Sequence, residues 1–377
     1  MNDLRIFYVN GLFNIGVILL VLSLGVVCAD EPRGIVQSYS LPEGQGWAGF
    51  TIAGLNEVYL ATEKGQIWRW NPGQKSNPPE KVSIEQTGPV SNLHWTAHDE
   101  LIVQSIKTLD IGKPGGKIRR VSIPELPHIA ISPTGDQFAG MGHEAPITFF
   151  STNSGKETHR VAPQEMVDTM RYSPDGKILG TSRFGRLYLW KSDTGALVWK
   201  ARLEGKVQGF VFTPDQSKVF AAVERGGVWV IDGETGRILD RLQRTTRTND
   251  EEEHHHLAFS SDGMLLAETE YGNQISIWDT ITGQPILWLE KHSGSITDLQ
   301  FLADGTRLIS VDSNGEAIVW DLSDPAFAGS FEVGKPYGPE ELGQLWQMLG
   351  NTRGEAAWSA MIALKHQPEQ TLKLVDK

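Results

Sequence analysis

The sequence predicts an all-β chain: a seven-bladed β-propeller, with an N-terminal signal segment before it and a small C-terminal helical tail after it. Three observations carry that prediction. A strand ending recurs with a period of about 40 residues, the spacing of one four-stranded blade. The endings fall near positions 70, 110, 150, 190, 230, 278 and 320. Turn signals stand at a similar distance before most of them. The two ends of the chain break the pattern, one with an apolar run and the other with helical spacing.

In chain order, residues 1–29 read as a signal peptide. Arg5 precedes the nearly charge-free run Gly11–Val27, and Val27-Cys28-Ala29 supplies small residues for a cut before Asp30. Left uncleaved, the same run is a membrane anchor at the short end of spanning length. Lipid attachment at Cys28 fits less well, because Val26 and Val27 stand where Ala or Gly is expected. Export places the mature chain in the periplasm, at the cell surface or outside the cell. Contact with a membrane is expected only if the segment stays uncleaved. Cys28 is the sole cysteine, so a cleaved chain has no disulfide and depends on packing.

Residues 30–337 hold the propeller. Trp190, Trp278 and Trp320 close the alternating strands RLYLW, QISIW and EAIVW. Trp70 closes QIWRW, Phe150 closes PITFF and Val230 closes GVWV, where Val takes the place of Trp; Asp110 follows the weaker SIKTLD. Before these endings stand SPTG (Ser132–Gly135), SPDG (Ser173–Gly176), TPDQ (Thr213–Gln216), SSDG (Ser260–Gly263) and ADG (Ala303–Gly305). Pro presets one turn dihedral and Gly tolerates positive φ, so these read as hairpin turns. A second Gly-containing turn follows the ending, as in Asp193–Gly195 and Asp279–Gly283, and leads to a more polar outer strand. Blade one reads as Trp47–Ala53, Glu57–Thr62, Gln66–Trp70 and a strand near Lys81–Ile84. Blade two reads as Asn92–Thr96, Glu100–Gln104, Ser105–Ile111 and Lys117–Ile123. Blade seven lacks a fourth strand after Trp320. The alternating run Ile35–Leu41 supplies it and closes the ring, which removes exposed strand edges. The third-strand tryptophans, with Trp68 and Trp229, are expected in the cores between blades.

Residues 338–377 form the tail. Gly338-Pro339-Glu340-Glu341 reads as a helix start, with Pro in the first turn and acids at the positive end of the helix dipole. Leu342, Leu345, Trp346 and Leu349 follow helical spacing. A second helix is expected over Gly354–Lys365 and a short third one from Pro368. Such a small bundle is marginal alone, so it either packs on its own propeller or docks a partner.

These residues carry a resemblance. With Trp278-Asp279, Trp320-Asp321 and the SPDG, SSDG and ADG turns, the chain resembles the WD-repeat family over roughly residues 35–324. Blade seven matches best: His292 stands in the position of the family's Gly-His pair, Ser310 in the second strand and Trp320 in the third. The resemblance implies a buried His-Ser-Asp-Trp network. It is expected to be incomplete here, since Asn314 or Ser313 stands where the family has Asp. The tail is similar to a short helical module of exported WD-repeat proteins from planctomycete-type bacteria.

Chemistry is thinly marked. The formal net charge is −12, which argues against a nucleic-acid partner, since that needs a basic footprint. Asp250–His256 (DEEEHHH) combines metal-ligand types. Neighbouring residues on a strand point to opposite faces, so His254, His255 and His256 do not converge, and a solvated charged loop is expected. No phosphate loop, Cys ligand set or Ser-His-Asp arrangement is visible, and lone histidines such as His94, His98 and His128 read as structural or exposed. No catalytic residue, cofactor or metal is therefore expected. The expected function is a monomeric, non-catalytic scaffold that binds a protein or peptide. The alternatives are a propeller enzyme (hydrolase, lyase or dehydrogenase) or a carbohydrate-binding module. Binding residues concentrate on loops held by a rigid scaffold. The turns between second and third strands place Arg183, Phe184, Arg225 and Tyr271 on one face of blades four to six, as candidate contacts for an anionic partner surface.

Overall fold

The computed structural model describes residues 34–365, apart from 42–45, 55, 63, 73–77, 83–88, 143–145, 162–166, 243–254, 271–272, 329–336 and 350–353. Among the described residues, 28 strands form seven four-stranded antiparallel sheets. Six sheets follow chain order and make blades one to six, over residues 47–82, 90–122, 128–161, 169–202, 207–242 and 257–290. The seventh contains Ile296–Phe301, Arg307–Asp312 and Glu316–Asp321, and its outer strand is Ile35–Ser40. The ring thus closes as expected. Ser38 lies opposite Ile318 and Ser40 opposite Glu316. The bonds Leu41 N–H to Gly315 O (2.9 Å) and Asp321 N–H to Gly34 O (2.6 Å) bracket the pair.

Each blade is sandwiched between two others, so its middle strands are apolar on both faces. Lys218–Val223 and Leu265–Thr269 are buried almost throughout, whereas the outer strand Ile238–Leu242 is mostly exposed. Seven apolar clusters fill the seven interfaces between neighbouring blades. Leu187 and Leu189 pack toward blade five, and Tyr188 and Trp190 toward blade three. Trp190, Trp278 and Trp320 are all buried. Trp229 is buried as well, but Trp68 is only half-buried, its ring 6.1 Å from that of Tyr39 on the closing strand.

Register corrects two strand endings. Trp190 lies opposite Leu179, and the matching partner of Val219 in blade five is Ile231. Ile231, not Val230, therefore takes the tryptophan's place. A bulge just before both residues confirms the match. In blade two, Leu101 contacts blade one and faces Gly112, so the ending is Gly112 rather than Asp110. Alternation on a strand apolar on both faces leaves a one-residue ambiguity that only pairing removes. The second strand of blade two is Leu101–Ser105 and the third starts at Thr108, not Ser105.

The tail forms α1 (Pro339–Met348) and α2 (Gly354–Lys365). Gly338 N–H donates to Glu341 Oε2 at 2.8 Å, closing the first turn of α1. Helix α2 lies on the outer strand of blade six. Its Ile362 joins the cluster of Ile286 and Phe327, and Ser359 Oγ donates to Phe327 O at 3.0 Å. Helix α1 packs on α2 through Leu342, Leu345, Ala360, Ala363 and Leu364. Helix α2 therefore docks on its own propeller, and α1 is held there through α2. The expected third helix lies outside the described residues.

Candidate partner-binding face and central channel

The loop face is built on tight hairpins. Arg183 pairs with Arg186, leaving Phe184-Gly185 as a two-residue turn. Such turns need positive φ at their first central residue, which favours Asn, Asp or Gly. Phe184 occupies it at φ 50° and is 59% exposed. A bulky residue in this region costs about 1–2 kcal/mol. Asp168 holds the turn: one carboxylate oxygen accepts from Phe184 N–H at 2.7 Å and the other from Arg183 Nη1 at 3.2 Å. The Arg183 guanidinium lies 4.2 Å from the Phe184 ring centroid. In blade five, Arg225 is also left-handed, at φ 54°, with Nε 4.0 Å from Glu224 Oε1. Arg183 is thus neutralised within the chain, and Arg225 has an acid beside it. The Arg225 side chain is still 70% exposed, so this face presents it together with the Phe184 ring. Tyr271 lies outside the described residues.

The channel runs along the innermost strands and holds an open cavity of about 540 Å³. His94 lies on its wall, with Nε2 3.1 Å from Ser132 O. Burial pushes its imidazole down to about 4. Arg171 of blade four and Asp298 of blade seven also line the cavity. Sequence reasoning passed over both; the available signal was a charge inside the inner strands TMRY and ITDLQF.

Of the DEEEHHH cluster, residues 250–254 lie outside the described residues. His255 is buried, with Nδ1 3.7 Å from Glu268 Oε1, while His256 lines the channel. The two histidines point apart as strand alternation requires. His255 is nevertheless a core residue rather than part of a solvated loop.

The buried network of blade seven brings His292, Ser310, Trp320 and an acid together. His292 Nε2 lies 2.6 Å from Ser310 Oγ, and Trp320 Nε1 donates to the same oxygen at 2.8 Å. His292 Nδ1 lies 3.2 Å from Asp312 Oδ2. The acid is Asp312, not a residue at 313 or 314. Two residues beyond Ser310, it shares that residue's face of the strand. Asp312 also accepts from Gly294, Asn314 and Glu316 N–H. Burial raises its carboxyl, but the bonds from His292 and the backbone outweigh that and hold it below the usual range. Donor atoms of His292, Asp312 and Glu316 lie within 4.8 Å of one another, a spacing a metal could use. With Asp312 oxygens occupied by three backbone donors and His292 bonded to Ser310, the trio reads as a structural lock.

A family model for the WD domain, G-beta repeat, matches residues 283–321, the segment that contains this network. The chain is a seven-bladed β-propeller that carries a WD repeat in its last blade. A second model, described as outer membrane protein assembly factor BamB, matches residues 143–269 of the same ring. Among similar proteins, WD repeat-containing protein 1 of Gallus gallus is 30% identical over 173 residues, 45% of this chain and 27% of that protein. WD repeat and SOCS box-containing protein 1 of Danio rerio is 27% identical over 193 residues, 48% of this chain and 42% of that protein. Apoptotic protease-activating factor 1 of Rattus norvegicus is 20% identical over 52% of this chain and 15% of that protein. The match thus spans less than half the length of each relative. WD-repeat propellers commonly bind proteins, which is as far as the likeness reaches.

Proposed function

We propose that this WD-repeat propeller is a non-catalytic interaction scaffold, exported to the periplasm or cell surface, that binds a protein or peptide through its loop face. Phe184 is the central contact, and Arg183, Arg225 and Tyr271 are the further candidate contacts. One observation carries the reading: an exposed aromatic ring is kept in a left-handed hairpin position where Gly would cost less. Bulky residues in such strained positions cluster at functional sites. Asp168 and the Arg183 stack hold the ring rigid, which lowers the entropy lost on binding. Export rests on the apolar run Gly11–Val27 and the small residues before Asp30.

The test is partner capture from the native envelope with Phe184→Gly and Arg225→Glu, separately and together. Loss of the captured protein by the folded variants supports the loop face. The rival surface is the tail, where Trp346 is 44% exposed. Trp358 is half-buried against the blade-six cluster and less available. Removing the tail would uncover Ile286 and Phe327, so Trp346→Ala is the cleaner comparison. Capture lost in Trp346→Ala and kept in the loop variants moves the site to the tail.

A further inference from the structure

We propose that the central channel is a binding site for a small zwitterion, a free α-amino acid or dipeptide, with its carboxylate on Arg171 and its ammonium on Asp298. The cavity of about 540 Å³ has room for such a molecule. Of the residues that line it, Arg171 and Asp298 are the two with a formal charge at neutral pH. They sit on blades four and seven, as far apart as a seven-membered ring allows.

Both groups are held by the protein and only partly satisfied. Arg171 Nη1 donates to Leu257 O at 3.3 Å, across to blade six. Blades five and six approach closely at Gly209, where a Cβ would stand 2.1 Å from His255 O. A guanidinium has five N–H donors in a planar fork, so most of the fork is left for a carboxylate. Asp298 accepts from Leu299 N–H at 2.8 Å, from Gln300 Nε2 at 3.4 Å and from the Phe50 backbone N–H. Gln300 Nε2 also donates to Phe50 O at 3.2 Å, which fixes the amide and the acid beside it.

The two charges act on each other across the cavity without forming a direct ion pair. Desolvation pushes Asp298 up to about 6 and Arg171 offsets part of that, while the Arg171 side chain itself is exposed to the channel. The channel is open and Arg171 is exposed in it, so a ligand competes there with water. A simple anion would be attracted by Arg171 but repelled by Asp298, and a simple cation the reverse. A molecule with both charges close together satisfies both at once.

The test is calorimetric titration of the full chain with L-leucine, L-alanine and glycylglycine. The controls are isocaproate and isoamylamine, which are L-leucine without its ammonium and without its carboxylate. At least one zwitterion should bind saturably, and L-leucine should bind at least about tenfold more tightly than either control. The glycylglycine arm separates free amino acids from dipeptides. Arg171→Gln should abolish zwitterion binding. Asp298→Asn should abolish the advantage of L-leucine over isocaproate and let isocaproate bind. This last gain of binding does not depend on how well the arginine variant folds. No saturable binding of any of the three zwitterions at about 10 mM, a concentration where even weak sites fill, overturns the proposal. So does equal binding of isocaproate and L-leucine by the unaltered chain. Either failure leaves the loop-face reading untouched, because the channel and Phe184 are separate surfaces.

Discussion

Ile35, the first residue of the closing strand, stands opposite Trp320, the core tryptophan of blade seven. The first strand of the propeller therefore completes its last blade. Tyr39 of the same strand packs within 6.5 Å of the Trp47 ring in blade one. Removing the strand opens an edge and uncovers part of the interface between blades seven and one. A chain beginning at Glu43 should aggregate or melt far below the intact propeller, as read by light scattering and thermal melting. Unchanged solubility and Tm would show that the strand is dispensable.

Asp312 is the second pressure point. It faces the buried His292 and accepts three backbone N–H groups. Asp312→Ala leaves all of them without that acceptor, and losses of this kind run to about 3–5 kcal/mol. Urea denaturation is the measurement. A loss under about 1 kcal/mol, the range of a surface substitution, would contradict the structural lock.

Trp190 tests the interfaces between blades. It is buried against blade three, and its Nε1 donates to Thr181 Oγ1 at 3.0 Å. Trp190→Ala should cost about 3–5 kcal/mol through the cavity it leaves. A denaturant midpoint close to that of the unaltered chain would place the residue outside the core.

Blade number, ring closure and the core role of the tryptophans were legible in the sequence, because each depends on a period or an alternation that pattern alone reveals. Register was not. Val230 and Ile231 are both apolar in a strand buried on both faces, and only the pairing with Val219 separates them. Asp312 was missed because strand geometry, not chain adjacency, brings it to His292. The same holds for Arg171 and Asp298, which line one channel from blades four and seven.

His94 gives the propeller a pH signature. Burial lowers its imidazole from the ordinary 6.5 to about 4. The unfolded chain takes up a proton below about 6.5, whereas the folded chain takes it up only near 4. The unfolded state thus binds more protons between these values, and stability falls as pH falls. The contribution is complete above about pH 6.5 and lost by about pH 4. Relative to His94→Gln, the intact chain should lose roughly 2 kcal/mol over that window, allowing for screening by channel water. Parallel urea curves for the two proteins from pH 7 to pH 4 would show that the fold does not hold His94 neutral.

The loop face is tested most directly by a photo-crosslinking amino acid placed at Phe184, with the same group at Trp346 as comparison. After irradiation in the native envelope, mass spectrometry identifies the attached proteins. The account predicts one reproducible adduct from position 184 and none of that species from position 346. Phe184→Gly should abolish capture of the same protein and raise stability by about 0.5–1 kcal/mol, since Gly relieves the left-handed strain. An adduct of that protein from position 346 alone, with capture intact in Phe184→Gly, would contradict the account.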